Sequence, residues 1–130
     1  MGTSSMIANY NEDGTVTATY CHYDGYLAHN GRQLYEWYNT PELAKAVANA
    51  GYISALEDDL QTSLDKSVHK NQPPVTYNSV EDFLAEGREF ACADYLYLFD
   101  GEAWFFASTY GPKGSWLMEE VEMNLFADAS

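Results

Sequence analysis

The sequence predicts an α+β fold in which an antiparallel sheet is built from two hairpins and two to four helices pack on one side. Runs of alternating and aromatic residues flank an Asp13-Gly14 turn, and a second pair of such runs flanks an Asp100-Gly101 turn. Asp-Gly between runs of this kind is a strong short-range signal for a β-hairpin. The region between the hairpins shows helical spacing and helix-capping residues. Strands, then helices, then strands again is an order typical of α+β domains.

The first hairpin comprises residues 6–10 and 15–23, joined by a turn in which Gly14 can adopt positive φ. Its second strand is rich in threonine, tyrosine and valine, as strands usually are. Strand alternation divides the side chains of this strand between two faces, and we expect the first of them to face the core. The two sets are Val16, Ala18, Tyr20 and His22, and then Thr17, Thr19, Cys21 and Tyr23.

Two helices are predicted between residues 30 and 51. In the first, over residues 30–38, Leu34, Trp37 and Tyr38 fall at i, i+3 and i+4 and form one apolar stripe. The second begins at Thr40, a capping residue followed by proline, and ends at Gly51. Its predicted buried face consists of Leu43, Ala46, Val47 and Ala50.

The second half of the chain also contains helix-capping residues and a hairpin pattern. Residues 53–60 are predicted to form a helical turn capped by Ser54, and residues 61–78 a loop. A well-marked helix follows over residues 79–91, where Ser79 is the cap and Glu81 and Asp82 favour the positive end of the helix dipole. The second hairpin, residues 95–99 and 103–107, is apolar on both strand faces, so we expect both faces to be covered. Residues 116–126 read as either a strand or a short helix.

The composition is that of a single globular domain, which we place at residues 6–130. Of 130 residues, 46% are apolar and 15% aromatic, which is enough for a sizeable core and too aromatic for a disordered acidic tail. Residues 1–5, MGTSS, are interpreted as a vector-derived remnant ahead of a native start at Met6. No apolar run approaches the about 18 residues of a membrane-spanning helix. The N-terminus also lacks the pattern of a secretory signal.

Acidic residues dominate the charge. Twenty Asp and Glu residues against six Lys and Arg residues give a formal net charge of −14. Self-repulsion of this size destabilises a compact state, so the excess calls for an explanation. One explanation is solubility, and the other is an acidic face that binds a basic protein or competes with nucleic acid for a basic groove. Direct binding to nucleic acid is disfavoured, because it needs clustered Lys and Arg.

The acidic residues fall into clusters that we take as candidate partner-binding residues. On the helix over residues 79–91, Asp82, Glu86 and Glu89 lie at i, i+4 and i+7 and form one carboxylate stripe. An ordinary solvated helix face also explains such a stripe. The full candidate set is Glu57, Asp58, Asp59, Asp82, Glu86, Glu89, Glu119, Glu120 and Glu122.

The sequence contains no recognisable motif for catalysis, and we expect a protein that is not an enzyme and that binds no cofactor and no metal. Cys21 and His22 are metal-capable neighbours, but strand alternation points them to opposite faces. Cys92 would reach a histidine such as His22 or His69 only by accident of folding. No glycine-rich phosphate loop is present. Two cysteines are too few for a disulfide framework, and both are interpreted as reduced thiols.

One pattern in the N-terminal half resembles a known group of proteins. Residues 11–14 read NEDG, residues 20–27 read YCHYDGYL, and Asn30-Gly31, Leu34 and Tyr38 follow. This EDG–YCH-DGY–NG–L–Y pattern, with GYISAL at residues 51–56, is similar to small acidic bacteriophage-encoded proteins of unassigned function. The resemblance covers roughly residues 7–60 and brings no catalytic residues with it. It implies a phage or prophage origin and action in the host bacterial cytoplasm.

The resemblance and the charge lead us to expect an inhibitor of a basic, nucleic-acid-handling host or defence protein. Such an inhibitor would be of anti-CRISPR, anti-restriction or host-takeover type and could act as a DNA mimic, without touching nucleic acid or membrane itself. The candidate anchor or pocket residues are Tyr20, His22, Tyr23 and Tyr26. Two alternatives are a small-ligand or nucleotide-sequestering protein and a virion accessory protein. The sequence leaves the oligomeric state open, a dimer included.

Overall fold

A mixed, seven-stranded sheet forms the centre of the part of the chain that the structure describes. The structure is a computed structural model and describes residues 3–68, 72–91, 93–109 and 118–122, without the side chains of residues 88–91. The strands are β1 Ser5–Tyr10, β2 Val16–Tyr23, β3 Tyr52–Ala55, β4 Val75–Tyr77, β5 Tyr95–Phe99, β6 Trp104–Ser108 and β7 Glu119–Glu120. The helices are α1 Arg32–Trp37, α2 Pro41–Ala48, α3 Leu60–Asp65 and α4 Val80–Ala91, and a π-helical turn, Leu27–Gly31, leads into α1.

Both predicted hairpins form, and the α+β class is confirmed, but the sheet is not purely antiparallel. β1 pairs with β2 and β5 pairs with β6 in antiparallel fashion, around turns in which Gly14 and Gly101 have φ of +90° and +108°. β1 and β5 then pair in parallel, with Ile7 opposite Tyr97. The strand order is β3–β2–β1–β5–β6–β7, with β3 parallel to β2 and β4 antiparallel to the other end of β2. The prediction of an antiparallel sheet built from two hairpins is wrong, because long-range pairing adds parallel neighbours and further strands.

Helices cover both faces of the sheet, which corrects the expectation that they pack on one side. One face buries Ile7 and Cys21 against residues of α1 and α2, and we call it the α1–α2 face. The other buries Met6 and Leu96 against Phe83 of α4, and we call it the α4 face. Successive strand residues point to opposite faces, so each central strand contributes to two cores. The predicted core face of β2 is confirmed for its first two members, which are buried on the α4 face, and the other set is buried in part as well, through Cys21.

The predicted second helix is confirmed as α2, with a different buried side. Thr40 caps it by accepting a hydrogen bond from the Leu43 N–H at 3.2 Å, and proline occupies its first position. The Thr19 hydroxyl of β2 contacts the carbonyl oxygens of Val47 and Ala48, both at 2.8 Å, which brings the small residues at the end of α2 against the sheet. The buried residues are accordingly Ala44, Val47 and Ala48, in place of the predicted Leu43, Ala46, Val47 and Ala50.

Residues 52–55 form a strand where the sequence predicts a helical turn capped by Ser54. β3 pairs in parallel with β2, with Tyr52 opposite Tyr20, a partner that local spacing does not reveal. The helix begins later, as α3, where the Asp59 carboxylate accepts a hydrogen bond from the Thr62 N–H at 3.0 Å. The predicted loop over residues 61–78 therefore contains α3 and β4.

The predicted helix over residues 79–91 is confirmed as α4, which Ser79 caps by accepting a hydrogen bond from the Asp82 N–H at 3.1 Å. In the C-terminal segment, where strand and helix were both open, residues 119–120 pair as β7 and residues 121–122 are helical. The other residues of the predicted segment 116–126, except 118, lie outside the described ranges, as do Cys92 and His69.

Ser5 belongs to the sheet, and residues 3–4 form hydrogen bonds with the rest of the chain, although the sequence predicts that the domain begins at Met6. Ser5 begins β1, and the Thr3 carbonyl accepts a hydrogen bond from the Gly25 N–H at 2.6 Å. Gly25 lies so close to the Ser4 backbone that a Cβ at this position would overlap it. Within the described ranges, no helix combines the length and the apolar character that crossing a membrane requires.

Candidate functional site

Helix α1 exposes a large aromatic side chain. Leu34 and Tyr38 pack into the core as expected, but Trp37 is 50% exposed, so the prediction that it belongs to the buried stripe is wrong. All three residues follow the π-helical turn that leads into α1, so their relative positions are those of a regular helix. Leu34 and Tyr38 lie about 40° apart around the helix axis, and Trp37 lies at the edge of the stripe, about 60° to the other side of Leu34. Gly31 permits the π-helical turn, because a Cβ there would overlap the Leu27 side chain.

Two acidic segments lie against α1. The Tyr38 hydroxyl donates a hydrogen bond to the Glu57 carbonyl oxygen at 2.7 Å, which fixes residues 57–59 beside the C-terminal end of the helix. The Tyr35 hydroxyl donates to Glu122 Oε1 at 3.0 Å. Residues three apart on a helix are surface neighbours, so both segments meet the same helix. We use the name α1 surface for the acidic residues of α1 and of these two segments, together with the exposed tryptophan of α1; its members are Glu36, Trp37, Glu57, Asp58, Asp59 and Glu122.

The pKa values of nearby groups reflect the negative charge of this surface. Burial, followed by the carboxylates of Asp59, Asp58 and Glu57, raises the pKa of Tyr38 to about 12. Hydrogen bonds from the side chain and backbone of Thr62 lower the pKa of Asp59. Asp59 is therefore ionised at neutral pH, and Tyr38 remains a neutral hydrogen-bond donor.

Glu122 likewise raises the pKa of its hydrogen-bond partner, Tyr35. The hydrogen bond to Glu122 is the main cause of a raised pKa at Tyr35, and desolvation and the charges of Glu122 and Glu36 add to it. The phenol of Tyr35 thus stays protonated and keeps donating to the carboxylate at any pH near neutrality.

Two cations offset only part of the charge of the α1 surface. Arg32 Nη1 lies 3.3 Å from Glu36 Oε1, and Lys66 Nζ lies 3.6 Å from Glu57 Oε1. Both pairs are substantially exposed, and exposed pairs of this kind contribute about 0–1 kcal/mol. Five carboxylates against two cations leave this surface with a net charge of −3.

The carboxylate stripe on α4 does not join the α1 surface. α4 packs on the opposite face of the sheet through Phe83. There Asp82 is half-buried and Glu86 is exposed, and Glu86 adds to the effect of burial in raising the pKa of Tyr77. The Glu89 side chain lies outside the described part of the chain.

The two acids of β7 are divided between the faces. Glu119 lies opposite Phe106, which belongs to the core of the α1–α2 face, and Glu120 lies opposite Phe105. Neighbouring strand residues point to opposite sides, so Glu119 and Glu120 do as well. The acids predicted as a partner-binding set, as far as their side chains are described, therefore occupy both faces of the sheet, and those of residues 57–59 and Glu122 lie beside α1.

Three of the four predicted anchor residues form a cluster at the end of β2. The Tyr20 hydroxyl and His22 Nδ1 are 2.9 Å apart, and the ring centroids of His22 and Tyr23 lie 4.5 Å apart in an edge-on arrangement. Tyr52 of β3 packs beside Tyr20, with ring centroids 5.6 Å apart. Tyr26 lies instead beside a histidine of the π-helical turn. Since His22 and Tyr23 are exposed, the cluster is a surface patch.

The thiol next to this cluster is held in the core. Cys21 is fully buried on the α1–α2 face, and Asn30 Nδ2 donates a hydrogen bond to its sulfur at 3.3 Å. Burial raises the pKa of Cys21 to about 11, against the smaller opposing effect of that hydrogen bond. The thiolate is the reactive form, so this cysteine is unreactive at neutral pH. Within the described ranges, no three His, Cys, Asp or Glu residues are grouped so that they could hold a metal ion.

Comparison with known proteins assigns the chain to no family. No protein-family model matches it, and neither the curated proteins nor the solved structures contain a match.

Sequence reasoning missed two residues of the α1 surface, Glu36 and Trp37. A signal for them is present in the chain, because Arg32 and Glu36 form an i,i+4 pair of opposite charges. Such a pair marks the solvent side of a helix, and Trp37 directly follows it. Because tryptophan is apolar, the i, i+3, i+4 pattern instead places Trp37 on the buried stripe.

Proposed function

We propose that this chain is a phage-encoded acidic inhibitor that binds a basic, nucleic-acid-handling host protein through the α1 surface. The observation that supports it is an acidic group around α1, in which Tyr35 donates to Glu122 Oε1 and Tyr38 donates to the Glu57 carbonyl oxygen, together with the exposed Trp37 of the same helix. A restriction enzyme, a CRISPR effector, a nuclease or an RNA polymerase would present the matching basic groove.

Charge favours the encounter with such a partner. The chain carries a net charge of −14, and complementary surfaces attract each other over distances up to about 8–10 Å at moderate salt. The same charge repels nucleic acid, whose binding needs clustered cations. The α1 surface contributes −3 of this charge at the point of contact.

Trp37 supplies apolar contact area, which charged side chains alone do not provide. Tryptophan and arginine are the most frequent hot spots in protein interfaces, because they bury a large area in a well-packed pocket. On the same α1 surface, the Arg32–Glu36 and Lys66–Glu57 pairs are weak enough to open, which frees their carboxylates for Lys or Arg of the partner. Bidentate pairs between arginine and a fixed carboxylate are both strong and geometrically selective.

The proposal assigns the contact to the α1 surface and not to the α4 stripe. The two lie on opposite faces of the sheet, so one flat groove meets only one of them. Mimicry of nucleic acid would then rest on the carboxylates of residues 57–59, Glu36 and Glu122.

The proposal is tested by a pull-down of the tagged full chain from bacterial lysate at low salt, with elution along a salt gradient. We expect a nucleic-acid-handling enzyme to be retained and then released at moderate salt, because screening weakens contacts between exposed charges. Retention of no such enzyme, or release that does not depend on salt, contradicts the proposal.

A further inference from the structure

A cleft of about 640 Å³ opens where β1 and β5 end, a volume within the range of small-ligand sites. These strands are parallel neighbours, and the chain leaves them in opposite directions, from β1 into β2 and from β5 into β6. In open α/β sheets, ligands bind at the carboxyl ends of parallel strands where the connections diverge, and this cleft has the corresponding position, although its connections are hairpins. α2 closes one side of this cleft and contributes Lys45.

The walls of the cleft carry opposite charges. Lys45 lines one side, and Glu12 and Asp13 of the β1–β2 turn line another. Lys45 forms no ion pair with either acid, nor with any other residue in the described ranges. Asp13 Oδ1 accepts hydrogen bonds from the N–H and the hydroxyl of Thr15, at 3.0 and 2.6 Å, and these lower the pKa of Asp13.

Asn9, which carries a hydrogen-bond acceptor, and two aromatic rings complete the lining of the cleft. Asn9 is 8% exposed, and its Nδ2 donates to Asn11 Oδ1 at 3.2 Å, while no residue of the described chain donates to its Oδ1. Within the described ranges, every fully buried side-chain oxygen and nitrogen has a hydrogen-bond partner. Asn9 Oδ1 has none there, so it retains access to solvent, and Asn9 lines the cleft. The buried ring of Phe99 and the half-exposed ring of Tyr10 add apolar surface.

We propose that this cleft binds a small zwitterion of the α-amino acid type. The ammonium group pairs with Glu12 and Asp13 and donates to Asn9 Oδ1, and the carboxylate pairs with Lys45. A ligand with only a negative charge would be repelled by two carboxylates in a chain of net charge −14, and a ligand with only a positive charge would be repelled by Lys45. A ligand that carries both charges is matched to both walls, and its side chain packs against Tyr10 and Phe99.

The test is a titration of the ¹⁵N-labelled full chain with L-phenylalanine and L-leucine, followed by amide resonances. We expect saturable shifts at Asn11, Glu12 and Gly101, which line the cleft or its edge. N-acetyl-L-phenylalanine lacks the ammonium group and L-phenylalaninamide lacks the carboxylate, so each should bind at least about tenfold more weakly. Equal binding of either derivative, or no saturable shift by about 10 mM of the free amino acids, overturns the proposal.

Two matched variants test whether Lys45 pairs with the carboxylate of the bound ligand. Lys45→Gln should weaken binding of L-phenylalanine about three- to fivefold, the range of one partly exposed ion pair. Lys66→Gln removes the same charge beside Glu57, outside the cleft lining, and should leave binding unchanged. An equal loss in both variants, or none in Lys45→Gln, contradicts the assignment.

Discussion

Thr19 illustrates, at the scale of single residues, how polar groups are accommodated inside this protein. Its hydroxyl shares one hydrogen between the carbonyl oxygens of Val47 and Ala48, both at 2.8 Å, and accepts a hydrogen bond from the Gly51 N–H at 3.0 Å. Because the Thr19 side chain is fully buried, its hydroxyl, rather than water, is the partner of these backbone groups. One hydroxyl therefore connects β2 to the end of α2 and the start of β3.

Replacing Thr19 with valine keeps the shape and removes these hydrogen bonds. We expect Thr19→Val to lower the free energy of unfolding by about 1–3 kcal/mol, because the Gly51 N–H and the two carbonyls lose a buried partner. Urea denaturation measures this change. Thr76→Val, at an exposed site in β4, is the control and should change stability by no more than about 0.5 kcal/mol. Equal effects at both sites would show that the buried hydroxyl is not a stabilising link.

Because the Cys21 thiol is buried, we expect the folded protein to lose stability in alkali. Burial raises the pKa of this thiol from the usual value near 9 to about 11 in the folded state, so between these pH values the unfolded chain releases a proton that the folded chain retains. This contribution to stability is complete below about pH 9 and is lost as pH rises toward 11, at up to about 1.4 kcal/mol per pH unit. Unfolding in urea at a series of pH values measures the slope.

The Cys21→Ala variant is the control for that slope. It will be less stable at every pH, because it leaves a cavity and removes one of the hydrogen-bond partners of Asn30. Its stability should nevertheless fall less steeply between pH 9 and 11 than that of the parent chain. Parallel pH profiles for the two proteins would contradict the assignment of this titration to Cys21.

Single elements were predictable where their signals are local. Thr40 and Ser79 cap α2 and α4, and the two Asp-Gly turns set both hairpins, because each depends on residues within a few positions of one another. β3 and β4 were missed, because each is short and is defined by its pairing with β2 far along the chain. Trp37 was misplaced because an i, i+3, i+4 pattern marks a stripe about 100° wide, and Trp37 lies at its edge, where it stays 50% exposed.

The junction of α2 and β3 depends on a glycine that no side chain can replace. Gly51 has φ +92°, and a Cβ there would overlap the Gln72 carbonyl oxygen. Gly14 has a similar φ of +90° but open space around it. Gly14→Ala should therefore cost only the left-handed strain of about 1–2 kcal/mol, and Gly51→Ala about 3 kcal/mol or more. Thermal and urea unfolding compare the two, and equal losses would contradict the close approach to Gln72.

At the scale of the whole molecule, the sheet separates the acidic residues into two groups. The charge of −14 and the clusters are visible in the sequence, but their distribution is not, because it depends on which helix covers which face. Tyr35 and Tyr38 gather residues from the ends of β3 and β7 around α1, a contact between segments far apart in the chain. The cleft at the ends of β1 and β5 was likewise unpredictable, since it follows from their parallel pairing.

The most direct test of the proposed function compares two charge-reversed variants of the full chain for binding to the enzyme retained in the pull-down. Glu36→Lys with Asp58→Lys alters the α1 surface, and Glu81→Lys with Glu86→Lys makes the same change in net charge on α4. The four side chains are exposed, so both variants should fold. We expect the first variant, and Trp37→Ala, to bind at least about tenfold more weakly, and the α4 variant to stay within about threefold of the parent. Equal weakening of both charge variants would mean that net charge alone drives binding, and unchanged binding of the α1 variant would place the interface elsewhere.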